Sequence, residues 1–154
     1  MRYSIIIFGA SGDLTRRKLV PAIWHLQKQG RLPEAFALVG VARREWDDDR
    51  FRQQLREDLA KFIGPLDEVA LEPFLARLHY VCGNPADLTT YAALKTRLET
   101  LDQEHGTSGN RCFYCSVPPQ IYLDIVERLG AAGLNREHEQ GKGWARIIVE
   151  KPFG

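Results

Sequence analysis

The chain has 154 residues, about the length of one domain. Its 21 basic and 20 acidic side chains leave a formal net charge of +1, which argues against a broad nucleic-acid or membrane-binding surface. With 44% hydrophobic and 27% charged residues, the composition is that of a folded protein with a real core and excludes a disordered or collagen-like chain.

The apolar runs in chain order are residues 3–8, 37–42, 78–82, 112–117 and 146–149. Each is short and mostly continuous, which predicts strands covered on both faces. Amphipathic stretches lie between them. Phe51, Leu55, Leu59 and Phe62 recur at helical spacing behind Asp47, Asp48 and Asp49, a predicted helix closed by Gly64-Pro65. Tyr91, Leu94, Leu98 and Leu101 form a second stripe over 87–101. A further helix is expected to start at Pro119 and to bury Ile121, Ile125 and Leu129. Pro21 and Pro73 mark kinks or fresh helix starts. Residues 102–110 and 130–143 read as loops. The alternation predicts an α/β fold, a doubly wound, mostly parallel sheet with helices on both faces.

No run approaches the ~20 apolar residues of a membrane span. The apolar part of the start, Ile5 to Phe8, is too short for a signal peptide and is interrupted by Gly9. A cytoplasmic location is therefore expected. Cys82, Cys112 and Cys115 are too few for a disulfide framework and read as thiols.

The strongest chemical signal is Gly9-Ala10-Ser11-Gly12-Asp13-Leu14, directly after the apolar run Ile5-Ile6-Ile7-Phe8. Small residues at a strand-to-helix turn let the backbone approach a pyrophosphate, and the helix N-terminus offers it N–H groups and partial positive charge. Ser11 departs from the G-x-G-x-x-G fingerprint, and no Gly-Lys-Ser/Thr follows at the spacing of an NTPase loop. The second strand ends Val41-Ala42-Arg43-Arg44, with no acid before Glu45. An arginine there accommodates a ribose 2′-phosphate where an acid would bind a 2′-hydroxyl, so NADP is expected through Arg43, with Arg44 as a helper.

Four segments now stand in one order: Gly9 to Leu14 followed by Arg17-Lys18-Leu19-Val20-Pro21; Gly40-Val41-Ala42-Arg43; Phe113-Tyr114-Cys115-Ser116-Val117-Pro118-Pro119; and Glu150-Lys151-Pro152-Phe153-Gly154. Together they resemble the N-terminal coenzyme domain of the glucose-6-phosphate dehydrogenases, over essentially the whole chain. The resemblance implies a Rossmann-like fold over residues 1–154 and an NADP-dependent oxidoreductase of carbohydrate metabolism. Its reaction would oxidise glucose 6-phosphate to the 6-phosphogluconolactone, opening the oxidative pentose phosphate pathway. It also implies that Gly9, Ala10, Ser11, Gly12 and Asp13 form the pyrophosphate turn, with Leu14 tucked against the sheet and Lys18 near the coenzyme. Asn84 and Pro85 would lie by the adenine or the pyrophosphate. Ser116, Val117 and Pro118 would pass beside the nicotinamide, and Lys151 would touch both coenzyme and sugar phosphate.

The base that this reaction needs is not evident, because His25, His79, His105 and His138 stand in no motif. The expectation is a chain that ends before the catalytic domain, binds NADP, carries no catalytic residue or metal site, and does not turn over alone. Apolar surface left by that domain would favour self-association.

Two other readings have partial sequence support. Tyr91 and Lys95 fit the Y-x-x-x-K of short-chain reductases, but Tyr91 also belongs to an apolar stripe. A stand-alone NADP-binding or redox-sensing module would call on Cys112 and Cys115, which on a strand point to opposite faces. No second ligand pair supports zinc.

Overall fold

The computed structural model describes residues 2–13, 15–134 and 143–149. Strand β1 (Arg2–Phe8) leads through the glycine turn and a π-helical stretch, Thr15–Leu19, into α1 (Val20–Lys28). Then follow β2 (Ala35–Ala42), α2 (Asp48–Phe62), α3 (Glu68–Leu75), β3 (Leu78–Cys82) and α4 (Leu88–His105). Strand β4 (Arg111–Cys115), a 3-10 turn at Pro119–Ile121, α5 (Tyr122–Ala131) and β5 (Ala145–Val149) complete the order. Five parallel strands form one sheet in the order β3-β2-β1-β4-β5. The chain winds outward from β1 in one direction and, after β3, crosses back to the other side of β1. The switch point lies between β1 and β4, and the predicted doubly wound α/β fold is the one observed.

Alternation along β1 divides the core in two. Ile7 joins Phe36, Leu38, Trp24, Phe51, Leu55 and Phe74 on the face covered by α1, α2 and α3. Ile6 and Phe8 join Val39, Val41, Phe113, Leu94 and Leu129 on the face covered by α4 and α5. Each such side chain, fully withdrawn from water, contributes roughly 1.5–3 kcal/mol before conformational entropy is set against it.

Asp47 caps α2 by accepting the Arg50 N–H at 2.8 Å, and Asp48 and Asp49 occupy its first turn. Phe51, Leu55 and Leu59 are buried, whereas Phe62 is 36% exposed at the helix end and has Arg17 and Lys61 over its ring. All four residues of the α4 stripe are buried. That helix runs on to His105, so residues 102–105 are helical where a loop was expected. Glu99 to His105 contains no helix breaker, and Gly106 in the left-handed conformation ends it.

Pro119 opens a 3-10 turn rather than the α-helix itself, and Ile121 is half-buried while Ile125 and Leu129 are fully buried. Pro73 sits inside α3, and Pro21 lies in the first turn of α1, directly after the π-helical stretch. Proline lacks the donor that a continuous α-helix would need at residue 21, so the preceding residues take a wider winding.

Strand β2 begins two residues earlier than expected. Strand β4 stops at Cys115, short of Val117, because Pro118 and Pro119 cannot extend a ladder. Strand β5 corrects the expectation of burial on both faces: it is the sheet edge, with Ile148 and Val149 44% and 48% exposed. Among the described residues, no helix is long and apolar enough to cross a membrane.

Candidate functional site

The carboxyl ends of β1, β2, β3 and β4 open onto one cleft of about 450 Å³ at the switch point, within the usual size of a small-molecule site. Its floor is the turn after β1, represented by Gly9, Ser11 and Gly12. Gly9 has φ +86°, and a Cβ there would overlap the Ser116 carbonyl, so the turn packs backbone to backbone against the end of β4. Gly40 plays the corresponding part within β2, where a Cβ would meet Ala10 and Phe51. The turn is held by the Gly9 and Ala10 N–H groups donating to the Val41 carbonyl, at 2.9 and 3.3 Å, and by Gly12 N–H donating to Gly9 O at 2.9 Å.

The β2 side of the cleft carries Arg43 and Arg44. The Arg44 carbonyl accepts from the Tyr80 hydroxyl and the Trp46 N–H, both at 2.8 Å, while its guanidinium lies 5.3 Å from the centre of the Trp46 ring. Burial raises the Tyr80 pKa, with a smaller contribution from Cys82, so this hydroxyl remains a donor at neutral pH. Asn84, Pro85 and Ala86 form the wall after β3. Asn84 Oδ1 accepts the Ala86 N–H at 2.9 Å, its carbonyl accepts the Thr90 hydroxyl at 2.8 Å, and the Tyr91 hydroxyl donates to Pro85 O at 2.7 Å. On the β4 side stand Ser116, Val117 and Pro118, with Ile121 and Asp124 beyond them. Among the described residues the cleft is therefore polarised, two arginines at one end and one carboxylate at the other.

Ten of the residues chosen from sequence line this cleft: Gly9, Ser11, Gly12, Arg43, Arg44, Asn84, Pro85, Ser116, Val117 and Pro118. Ala10 is buried beneath the turn against Gly40. Asp13 and Lys18 are exposed and do not line it, and Asp13 pairs with Arg17 at 3.5 Å. Leu14 and Lys151 lie outside the described residues. Ala42, Ala86, Ile121 and Asp124 were not foreseen. The two alanines adjoin chosen residues and could have been added, whereas Asp124 lies in the first turn of α5, beyond the 3-10 turn that follows Pro118.

Thr15 and Arg16 were also missed. The fully buried Thr15 hydroxyl lies 3.2 Å from both Gly9 O and Ser116 Oγ. Arg16 holds the buried Asp58 carboxylate with two hydrogen bonds, 2.7 and 2.9 Å, tying the segment after the turn to α2.

The rival sites fail on geometry. Tyr91 is fully buried, burial raises its pKa, and Lys95 is exposed. Phe113 and Cys115 pack into one face of the sheet, leaving Cys112 on the other. Burial raises both thiols, Cys115 to about 11, so neither is a ready nucleophile. Among the described residues, no group of three or more His, Cys, Asp or Glu side chains is placed to hold a metal ion.

A family model described as "Glucose-6-phosphate dehydrogenase, NAD binding domain" matches residues 6–154. The chain belongs to that family. It is 49% identical over 150 residues to a glucose-6-phosphate 1-dehydrogenase of Aggregatibacter actinomycetemcomitans and 46% identical over 152 residues to one of Chlamydia pneumoniae. Each match covers 97% of this chain and 30% of the relative. Among solved structures, a glucose-6-phosphate dehydrogenase in complex with its substrate glucose 6-phosphate superposes with a TM-score of 0.83 at 33% identity, over 99% of this chain and 31% of that one. The chain thus spans about a third of the length of these glucose-6-phosphate dehydrogenases. The resemblance expected from the four sequence segments is borne out.

Proposed function

We propose that this chain is the NADP-binding domain of a glucose-6-phosphate 1-dehydrogenase acting in the cytoplasm, and that it binds coenzyme without turning over sugar phosphate. The observation that carries the reading is the pair Arg43 and Arg44 on the β2 side of the cleft, next to a glycine turn with no acidic side chain in the ribose-binding position.

The donor set suits the coenzyme. Ser11 and the backbone of the turn face the place of a pyrophosphate, and the Arg43 guanidinium offers a fork of donors to a 2′-phosphate. The polarity also suits it, since the arginines stand where the anionic adenosine end would lie and Asp124 stands toward the cationic nicotinamide. When bound, NADP supplies the hydride acceptor. The chain's part is to orient it: Gly9 lets the backbone approach, Arg43 and Arg44 select the phosphorylated ribose, and Ser116, Val117 and Pro118 wall the other half. Leu14 and Lys151 belong to the proposal on their sequence motifs alone.

Oxidising a sugar hydroxyl also needs a base, and among the described residues none that lines the cleft is a histidine. The relatives are about three times as long, which supports a base and a sugar-phosphate site supplied by sequence that this chain does not include. The apolar side chains exposed on β5 support self-association of the isolated chain.

Calorimetric titration with NADP and with NAD, for the unsubstituted chain and for Arg43→Ala, tests the reading. Tighter binding of NADP that the substitution reduces to the level of NAD is expected. Equal affinity for the two coenzymes would remove the assignment of the arginines. Glucose-6-phosphate-dependent NADPH formation by the chain alone would refute its inactivity.

A further inference from the structure

We propose that Thr15 is a positioning residue that fixes the Ser116 hydroxyl, and through it the nicotinamide half of the coenzyme site, relative to the phosphate turn. The inference rests on the coenzyme reading above and adds to it a coupling between its two halves.

A dinucleotide with its pyrophosphate on the turn after β1 must send one nucleoside toward β2 and the other toward β4, because these strands flank β1. The arginines claim the β2 side for the phosphorylated adenosine, so Ser116 at the end of β4 faces the other half. The Ser116 backbone is already anchored, its N–H donating to Phe8 O at 2.9 Å. Among the described residues its side chain has one hydrogen-bond partner, the Thr15 hydroxyl at 3.2 Å.

Proton accounting makes this contact directional. A threonine hydroxyl carries one proton. Gly9 O, also 3.2 Å away, is an acceptor only, so the contact with it uses that proton. Ser116 Oγ–H must then donate to Thr15 Oγ1, which turns the remaining Ser116 lone pairs toward the cleft as an acceptor. Thr15 is 0% exposed, so water does not reach its hydroxyl. Folding does not depend on them: Gly9 O keeps the Gly12 N–H at 2.9 Å, and Ser116 is only half-buried and open to water.

The test compares NADP with 2′,5′-ADP, which carries the adenosine, its 2′-phosphate and one 5′-phosphate but no nicotinamide. Thr15→Val keeps the shape and removes the hydroxyl; Thr15→Ser restores it. Calorimetry is expected to show NADP binding weakened roughly three- to tenfold in Thr15→Val, with 2′,5′-ADP affinity unchanged and NADP affinity recovered in Thr15→Ser. Ser116→Ala should produce a selective loss at least as large, and Thr15→Val added to it should cost nothing more, since Thr15 acts through the Ser116 hydroxyl. The Ser116→Ala comparison also serves if Thr15→Val does not fold. Unchanged NADP affinity in Thr15→Val, equal losses for both ligands, or additive losses in the double variant would overturn the assignment. Failure of the unsubstituted chain to bind either ligand would overturn the coenzyme reading itself, and this inference with it.

Discussion

His79 Nε2 lies 2.9 Å from His105 Nε2, so one ring donates its N–H to the other. His79 is buried on β3 and His105 stands in the last turn of α4, so the contact closes that helix onto the sheet. Asp48, Arg52 and Arg97 crowd the other His79 nitrogen. Protonating the accepting ring sets two N–H groups head to head. Burial, then His79, Arg77 and Arg52, lower the His105 pKa below its ordinary 6.5, against an opposing effect of Glu104.

A lowered histidine pKa means that the unfolded chain takes up protons first. The His105 contribution is therefore complete above pH 6.5 and is lost as pH falls through the folded-state value. Urea denaturation between pH 8 and pH 5 should show stability declining from about neutrality downward, and His105→Gln should flatten that decline. An unchanged slope in the variant would show that His105 does not titrate in this range.

Asp48 governs a second, more acidic step. Burial opposes its charge, but the His79 hydrogen bond, the Tyr80 N–H at 2.7 Å and the ion pair with Arg97 outweigh burial and bring the carboxyl down to about 2 from 3.8. Its contribution is thus present above about pH 4 and is lost as pH falls toward 2. Asp48→Ala should cost about 1–3 kcal/mol at pH 7, because the Tyr80 N–H and the Arg97 guanidinium lose their acceptor. The difference from the unsubstituted chain should shrink below pH 3. Paired denaturation curves at pH 7 and pH 2.5 measure both effects.

The sheet was legible from the sequence because buried parallel strands announce themselves as short apolar runs. The cleft was legible because its residues follow those strands within a few positions: Gly9 after Phe8, Arg43 after Ala42, Asn84 after Cys82, Ser116 after Cys115. What escaped is long-range and polar. No local pattern brings His79 to His105, Arg16 to Asp58 across 42 residues, or Thr15 to Ser116 across 101. Those pairings depend on how helices settle on the sheet, which hydrophobic periodicity does not specify. Strand β5 was misjudged for a related reason: an apolar run gives composition, whereas exposure depends on whether a neighbour lies beyond it.

The Arg16 to Asp58 pair anchors the segment that follows the phosphate turn. Asp58 is 4% exposed and also accepts from Gln54 Nε2 at 3.1 Å. Arg16→Met leaves that carboxylate buried without its cation and is expected to cost about 2–4 kcal/mol. Replacing both partners, Arg16→Met with Asp58→Leu, should recover part of the loss, since no charge is then stranded. Denaturant midpoints of the two variants decide it: a double variant less stable than the single one would mean that the pair contributes more than charge compensation.

Gly9 offers the sharpest link between backbone and site. Its φ of +86° is strained for any L side chain, and the Ser116 carbonyl occupies the space a Cβ would need. Gly9→Ala must push the turn away from the end of β4, opening the Gly9 N–H bond to Val41 and drawing Thr15 off Ser116. A loss of about 2–4 kcal/mol is expected, more than an ordinary surface substitution gives. Coenzyme binding should fall at least tenfold at temperatures where the variant is still folded, because both halves of the cleft are built on this turn. Thermal melts followed by NADP titration at a temperature well below the melting point separate the two effects. A folded Gly9→Ala chain with unaltered NADP affinity would show that the close approach is not what shapes the site.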